Sequence, residues 1–158
     1  MVKKVSKENL KQYRDKIDII DNKLLKLMQA RADLALKIGK IKSKIDPNSS
    51  LYKPDREADV LRKILQDNQG NISDKKFKTI FRELIAACLS LEEEIKIAYL
   101  GPEGTHSEAA LIDKFGSSAT RIASTSIEDV FRKIESGEVS LGLVPVENSS
   151  EGVINSTL

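Results

Sequence analysis

The sequence predicts an all-α unit of three helices over residues 1–94, which pairs with a second copy, and then a partial α/β unit of order βαβαβ over residues 95–158. Three observations lead there. Apolar residues recur three and four apart between residues 10 and 45, the period of a helix with one buried seam. Two shorter stretches, after Pro54 and after Ser73, repeat that period. At Lys96 it gives way to short apolar runs separated by capping signals and glycines.

The first helix carries Leu10, Tyr13, Ile17, Ile20, Leu24, Leu27, Leu34, Ile38, Ile41 and Ile45 on its seam, with Arg31 where the pattern asks for one more apolar residue. A cation in a seam is costly unless something pairs with it. Lys42, roughly 20° round the helix from Arg31, shares its face. About 36 residues at 1.5 Å each span roughly 54 Å, more than a domain of this size measures. The seam therefore needs a partner as long as itself, and a helical dimer with cations in its core follows. Ser6 is the expected N-cap. Gly39 weakens the helix by about 1 kcal/mol against Ala, for close packing or to admit a ligand. The helix stops near Asp46 and Pro47, and a loop continues to Ser50.

Pro54 suits the first position of the second helix, with Asp55 and Glu57 in its first turn. Its inward stripe is Ala58, Leu61, Ile64 and Leu65, bordered by Glu57, and Gly70 is the expected C-cap. Ser73 caps a third helix whose stripe runs Phe77, Ile80, Phe81, Leu84, Ile85, Cys88, Leu91 and Ile95, with Glu92 at its edge and Glu93 and Glu94 facing water.

Residues 96–100 read as a strand. Thr105 with Glu108 forms a capping box for a helix that Gly116 closes. Residues 121–124 form a second strand, and Thr125 with Glu128 reads as the capping box of a helix ending at Gly137. Residues 141–146 make a third strand, and 147–152 a loop. Strands alternating with helices predict a parallel sheet. About sixty residues are few for covering both its faces, so the unit reads as a domain cut short.

Composition narrows the function. A net charge of +2 gives no case for nucleic acid, and the absence of Trp argues against base-stacking platforms. A basic-helix nucleic-acid binder is further weakened by Asp15, Asp18, Asp21 and Asp33 along the first helix. Cys88 is the sole cysteine, which excludes an internal disulfide and suits a reducing cytosol. The N-terminus lacks the apolar core of a signal peptide, and the longest apolar run, 84–89, is too short to span a membrane. A cytoplasmic protein without a membrane partner is expected.

Arg14, Arg31, Lys42 and Arg56 sit on or beside apolar faces. Long cationic chains usually snorkel to water, but Arg31 occupies the seam itself. Arg14 lies roughly 25 Å along the helix from Arg31, out of its reach within one chain. Across an antiparallel dimer it can join the partner's cations, and such a cluster suits a small dianion. Glu57 and Glu92 either pair with these cations or hydrogen-bond a ligand. One His, one Cys and scattered carboxylates lack metal-ligand spacing, so no metal and no other cofactor is expected. Cys88 reads as a small buried residue, and Gly101-Pro102-Glu103-Gly104 lacks the spacing of a phosphate loop.

The order Arg14-Asp15-Lys16-Ile17, Arg31, Gly39-Lys40-Ile41-Lys42, Arg56-Glu57, and Cys88 with Glu92 resembles the all-helical chorismate mutases. From Ala98, AYLGPEGTHSEAA and the later GLVPVENSSEGVINSTL resemble prephenate dehydratase; together they resemble the bifunctional family that joins the two in phenylalanine synthesis. The resemblance implies an intertwined homodimer whose sites each take Arg14 from the partner, with chorismate and prephenate as substrate and product. It implies that Arg31 and Arg56 hold the substrate carboxylates with Arg14, that Lys42 and Glu92 contact the ether oxygen, and that Glu57 contacts the ring hydroxyl. Enteric members carry Ser and Gln at the positions of Cys88 and Glu92, and some carry Asp at Lys53. Thr105, Ser107, Glu147, Asn148 and Ser149 match dehydratase-pocket motifs. That family's Thr-Arg-Phe motif and its regulatory ACT domain are not among these residues, so dehydratase activity is not expected of this polypeptide alone. The competing reading is a helical dimerisation module whose buried charges set register.

Overall fold

Helix α1 (Lys7–Ile45) runs 39 residues without a break, roughly 58 Å. The computed structural model describes residues 7–46, 52–92, 94–148, 152–154 and 157; the expected cap Ser6, the loop 47–50, Glu93 and Ser149 lie outside them. Within one chain only the C-terminal part of α1 is covered, where Gly39 is buried against Glu92 of the segment after α3. The rest of the seam faces outward. Tyr13 is 64% exposed, Leu27 67% and Ile41 57%, and Leu10, Ile17, Ile20 and Leu24 are exposed as well. An apolar stripe of this length left in water is far larger than a stable monomer carries.

Helix α2 (Pro54–Asp67) begins at Pro54 as its sequence signals ask. It buries Leu61 and Glu57, while Ala58 of the expected stripe is exposed and Val60 takes its place, half-buried. Its C-cap is Asn68, not Gly70. The Asn68 side chain donates to the Ile72 carbonyl and to Asp74 and accepts from the Gly70 N–H, so one amide organises the whole turn. Helix α3 (Asp74–Ser90) follows the Ser73 cap position. It stops before the predicted end, because the Glu92 N–H bonds the Leu89 carbonyl and tightens the last turn. Ile95 then leaves the helical stripe and packs on the sheet.

The α/β unit is a three-stranded parallel sheet of order β2-β1-β3, with β1 (Lys96–Leu100) between β2 (Thr120–Ser124) and β3 (Leu141–Leu143). Ile97 lies opposite both Arg121 and Leu141, which fixes the register. Alternation along β1 sends Ile97 and Tyr99 to one face, against Leu111 and Phe115 of α4 (His106–Phe115). Ala98 goes to the other, against Val130 of α5 (Ile127–Glu135) and Val139. The central strand is therefore buried on both faces, contrary to expectation for so short a unit, while β2 and β3 keep half-open edges.

Three local expectations are corrected. The α5 cap is Ser126, whose Oγ accepts from the Asp129 N–H at 3.1 Å, one residue beyond the expected Thr125. The third strand ends at Leu143, ahead of Pro145, which has no N–H to give to a sheet. The expected loop 147–152 contains a small antiparallel pair, β4 (Glu147–Asn148) with β5 (Gly152–Val153).

Candidate functional site

Where α1, α2 and α3 meet, a cleft of about 470 Å³ opens between them. Each helix contributes to it by its own period. Arg31, Ala35, Ile38 and Lys42 come from one face of α1, spaced three and four apart. Lys53, Arg56, Glu57 and Val60 come from the start of α2, Ile85, Cys88 and Leu89 from the end of α3, and Glu92 from the turn that follows it. Apolar side chains thus form the walls, and basic side chains converge with two carboxylates in the space between. Six of the seven candidates read from the sequence share this one cleft: Arg31, Lys42, Arg56, Glu57, Cys88 and Glu92. Arg14 is not among them, being exposed in the N-terminal half of α1. Cys88 is a free thiol, almost fully buried behind the cleft.

Glu92 is the most constrained of these side chains. A Cβ added at Gly39 would lie 2.9 Å from its Oε2 and 3.0 Å from its Cγ, so only glycine leaves room for it against α1. That decides the role of Gly39 in favour of close packing. The Glu92 Oε2 is buried and has no hydrogen-bond partner among the described residues. Burial pushes the carboxyl above its ordinary range, although Lys42 and, less strongly, Arg31 pull it back. Of these opposing effects, burial is the larger.

Glu57 stands at the other end, only 8% exposed. Its Oε1 lies 3.9 Å from Nε of Arg82 on α3, an ion-pair separation. The Tyr52 phenol is pushed up to about 12, by burial first and then by the charge of Glu57, with Arg82 opposing. Glu57 thus pairs with a cation outside the predicted set. Arg82 and Tyr52 are the residues that sequence reasoning missed. Arg82 carried no signal, since it falls beside the apolar stripe of α3 without interrupting it. Tyr52, in a loop, had none.

The second candidate group is more dispersed. Thr105 caps α4, its Oγ1 accepting from the Glu108 N–H and donating to the Leu100 carbonyl. Ser107 is half-buried in the first turn, and Glu147 and Asn148 lie on β4. Both places follow the C-terminal ends of neighbouring parallel strands, β1 and β3, where open α/β sheets receive ligands. Among the described residues no hydrogen bond joins the two places. Glu108 does not close the capping box on Thr105, but accepts from the Gly104 N–H at 2.6 Å and pairs with Arg121 at 3.4 Å.

Among the described residues no group of three or more His, Cys, Asp or Glu side chains is placed to hold a metal ion. None of their helices is long and apolar enough to cross a membrane.

Comparison with known proteins gives this arrangement a family. The model of chorismate mutase type II matches residues 13–93, and that of prephenate dehydratase matches residues 97–158. A bifunctional chorismate mutase/prephenate dehydratase of Aquifex aeolicus is 44% identical over 155 residues, and one of Pseudomonas aeruginosa 41% over 154. Each alignment covers 96% of this chain and 42% of the relative. The corresponding Escherichia coli protein is 28% identical over 171 residues, covering 95% of this chain and 43% of that one. A solved chorismate mutase (form II) from Thermus thermophilus superposes with a TM-score of 0.50 at 26% identity, over 52% of this chain and 92% of that one. The chain spans about two fifths of the length of the bifunctional relatives it matches. By the match over residues 13–93, which takes in every helix lining the cleft, the chain belongs to the chorismate mutase type II family.

Proposed function

We propose that this chain catalyses the rearrangement of chorismate to prephenate, in a cytoplasmic homodimer whose sites are shared between subunits. The observation that carries it is the convergence of Arg31, Lys42 and Arg56 on one cleft beside a carboxyl that burial holds towards its acid form. The reaction is pericyclic and uses no nucleophile. A protein accelerates it by holding the dianion in its near-attack chair form and by stabilising the negative charge that grows on the ether oxygen. Cations held by apolar walls can do both, since planar guanidinium forks clamp carboxylates. Arg31 and Arg56 take the two carboxylates together with Arg14 of the partner subunit, while Lys42 and protonated Glu92 donate to the ether oxygen. Glu57 accepts from the ring hydroxyl, and Cys88 closes the wall behind. The outward seam of α1 supports the dimer, and the position of Arg14 outside the cleft supports its service to a second copy.

The domain division proposed is a mutase unit over residues 1–94 and a dehydratase segment over 95–158. Thr105, Ser107, Glu147, Asn148 and Ser149 are assigned to the pocket of the latter. The test is direct. Chorismate is mixed with the purified protein and its absorbance followed, with prephenate identified as product; Arg31→Ala should lower kcat/KM by roughly a hundredfold or more, as loss of a buried charge-assisted contact does. A stable, folded dimer that leaves chorismate unchanged would return the charges to a purely structural role.

A further inference from the structure

Glu57 is anchored from outside the helical unit. Arg82, which faces Glu57 through Nε, donates through Nη1 to the Asp113 carbonyl at 2.7 Å and pairs with Asp113 Oδ2 at 3.1 Å, at the end of α4. Tyr52, which lines the same cavity as Glu57 and feels its charge, packs against Phe115 of the same helix with ring centroids 5.2 Å apart and planes tilted by 57°. Around them α3 and α4 are locked together. Glu83 accepts from the Ser117 N–H and Oγ, and a Cβ at Gly116 would lie 2.8 Å from that of Ala86. A buried carboxylate takes its orientation from the few groups that compensate its charge. Arg82 and Tyr52, which lie beside Glu57, are themselves held by α4.

We propose that Arg82 and Tyr52 are positioning residues for Glu57, and that helix α4 of the α/β unit sets the geometry at this end of the cleft by holding both. This rests on the mutase reading above, in which Glu57 meets the ring hydroxyl of chorismate. The two halves of the chain are then coupled through one carboxylate.

The experiment compares chorismate with an analogue lacking the ring hydroxyl, in the full chain. Arg82→Met keeps the apolar stem and removes the charge. It should lose about tenfold or more in kcat/KM on chorismate and little on the analogue. Glu57→Ala should give the same pattern, and the double variant should be no worse than Glu57→Ala alone. Arg82→Lys, which keeps a cation, should recover part of the loss. Tyr52→Phe, which keeps the ring against Phe115, and Asp113→Ala, a surface change, should give smaller losses of about twofold to threefold confined to chorismate; they decide the matter if Arg82→Met does not fold. Equal losses on both substrates, or additive effects of Arg82→Met and Glu57→Ala, would overturn the coupling while leaving the mutase reading intact. Wild-type protein inactive on both substrates would overturn the mutase reading instead.

Discussion

In the proposed reaction Glu92 would act through a single proton. Its ionised form would repel the charge growing on an ether oxygen, and its acid form would donate to it. Burial raises its pKa, so the acid form persists to higher pH than in an exposed glutamate. The sign follows: stability and activity linked to that proton are present at low pH and are lost as pH rises through the raised value. Wild-type kcat/KM should decline across that range, Glu92→Gln should hold its rate above it, and Glu92→Ala should be slow throughout. Parallel profiles for wild type and Glu92→Gln would remove Glu92 from the acid role. Gly39→Ala offers an independent check. The helix gains about 1 kcal/mol of propensity, but the new methyl displaces Glu92. Melting temperature should hold or rise while kcat/KM falls, and a fall in both would point to general disruption. At this scale the sequence was informative where a residue broke a pattern, as Arg31 did. It was silent on Tyr52, whose setting comes from a ring on a helix more than fifty residues away.

Among the elements, capping shows why a local signal can be right in kind and wrong by one position. Thr125 with Glu128 and Ser126 with Asp129 offer the same hydroxyl-then-carboxylate spacing. Ser126 wins because its hydroxyl meets the Asp129 N–H, while the Asp129 carboxylate reaches back to the Thr125 N–H and forward to Lys133 and Arg132. Ser126→Ala should therefore destabilise the α/β unit by about 1 kcal/mol, and Thr125→Ala by much less; thermal melts of the two variants decide it. Helix α1 was legible in full because its period repeats over about ten turns, and its seam was legible as unpartnered because of its length. The end of strand β3 and the β4–β5 pair were not, since a strand's limit and a short polar pair are set by their neighbours.

For the whole molecule, the predictions concern association. If Arg14 serves the second subunit's cleft, Arg14→Ala and Arg31→Ala proteins should each be nearly inactive. Refolded together, they should regain one intact site per heterodimer. No recovery in proven heterodimers would sink the shared site. Hydrogen exchange should be faster in β2 and β3 than in the helices, because their edges are open. The two-unit organisation could be read from the change of period at Lys96. The contact between the units could not, because Arg82, Glu83, Asp113 and Ser117 look like ordinary surface charges and hydroxyls until α3 and α4 are placed side by side.

The outward seam of α1 also shapes how the chain acquires its fold. A sheet whose strands follow one another within about fifty residues closes through short-range encounters inside a single molecule. The N-terminal half of α1 has no such recourse, for among the described residues its apolar stripe stays exposed. An isolated helix in water is marginal, so its ordering waits for a collision with something else. Recovery of helicity after dilution from denaturant should thus contain a second-order phase, slower at lower protein concentration. The α/β unit should return in a first-order phase whose rate ignores concentration.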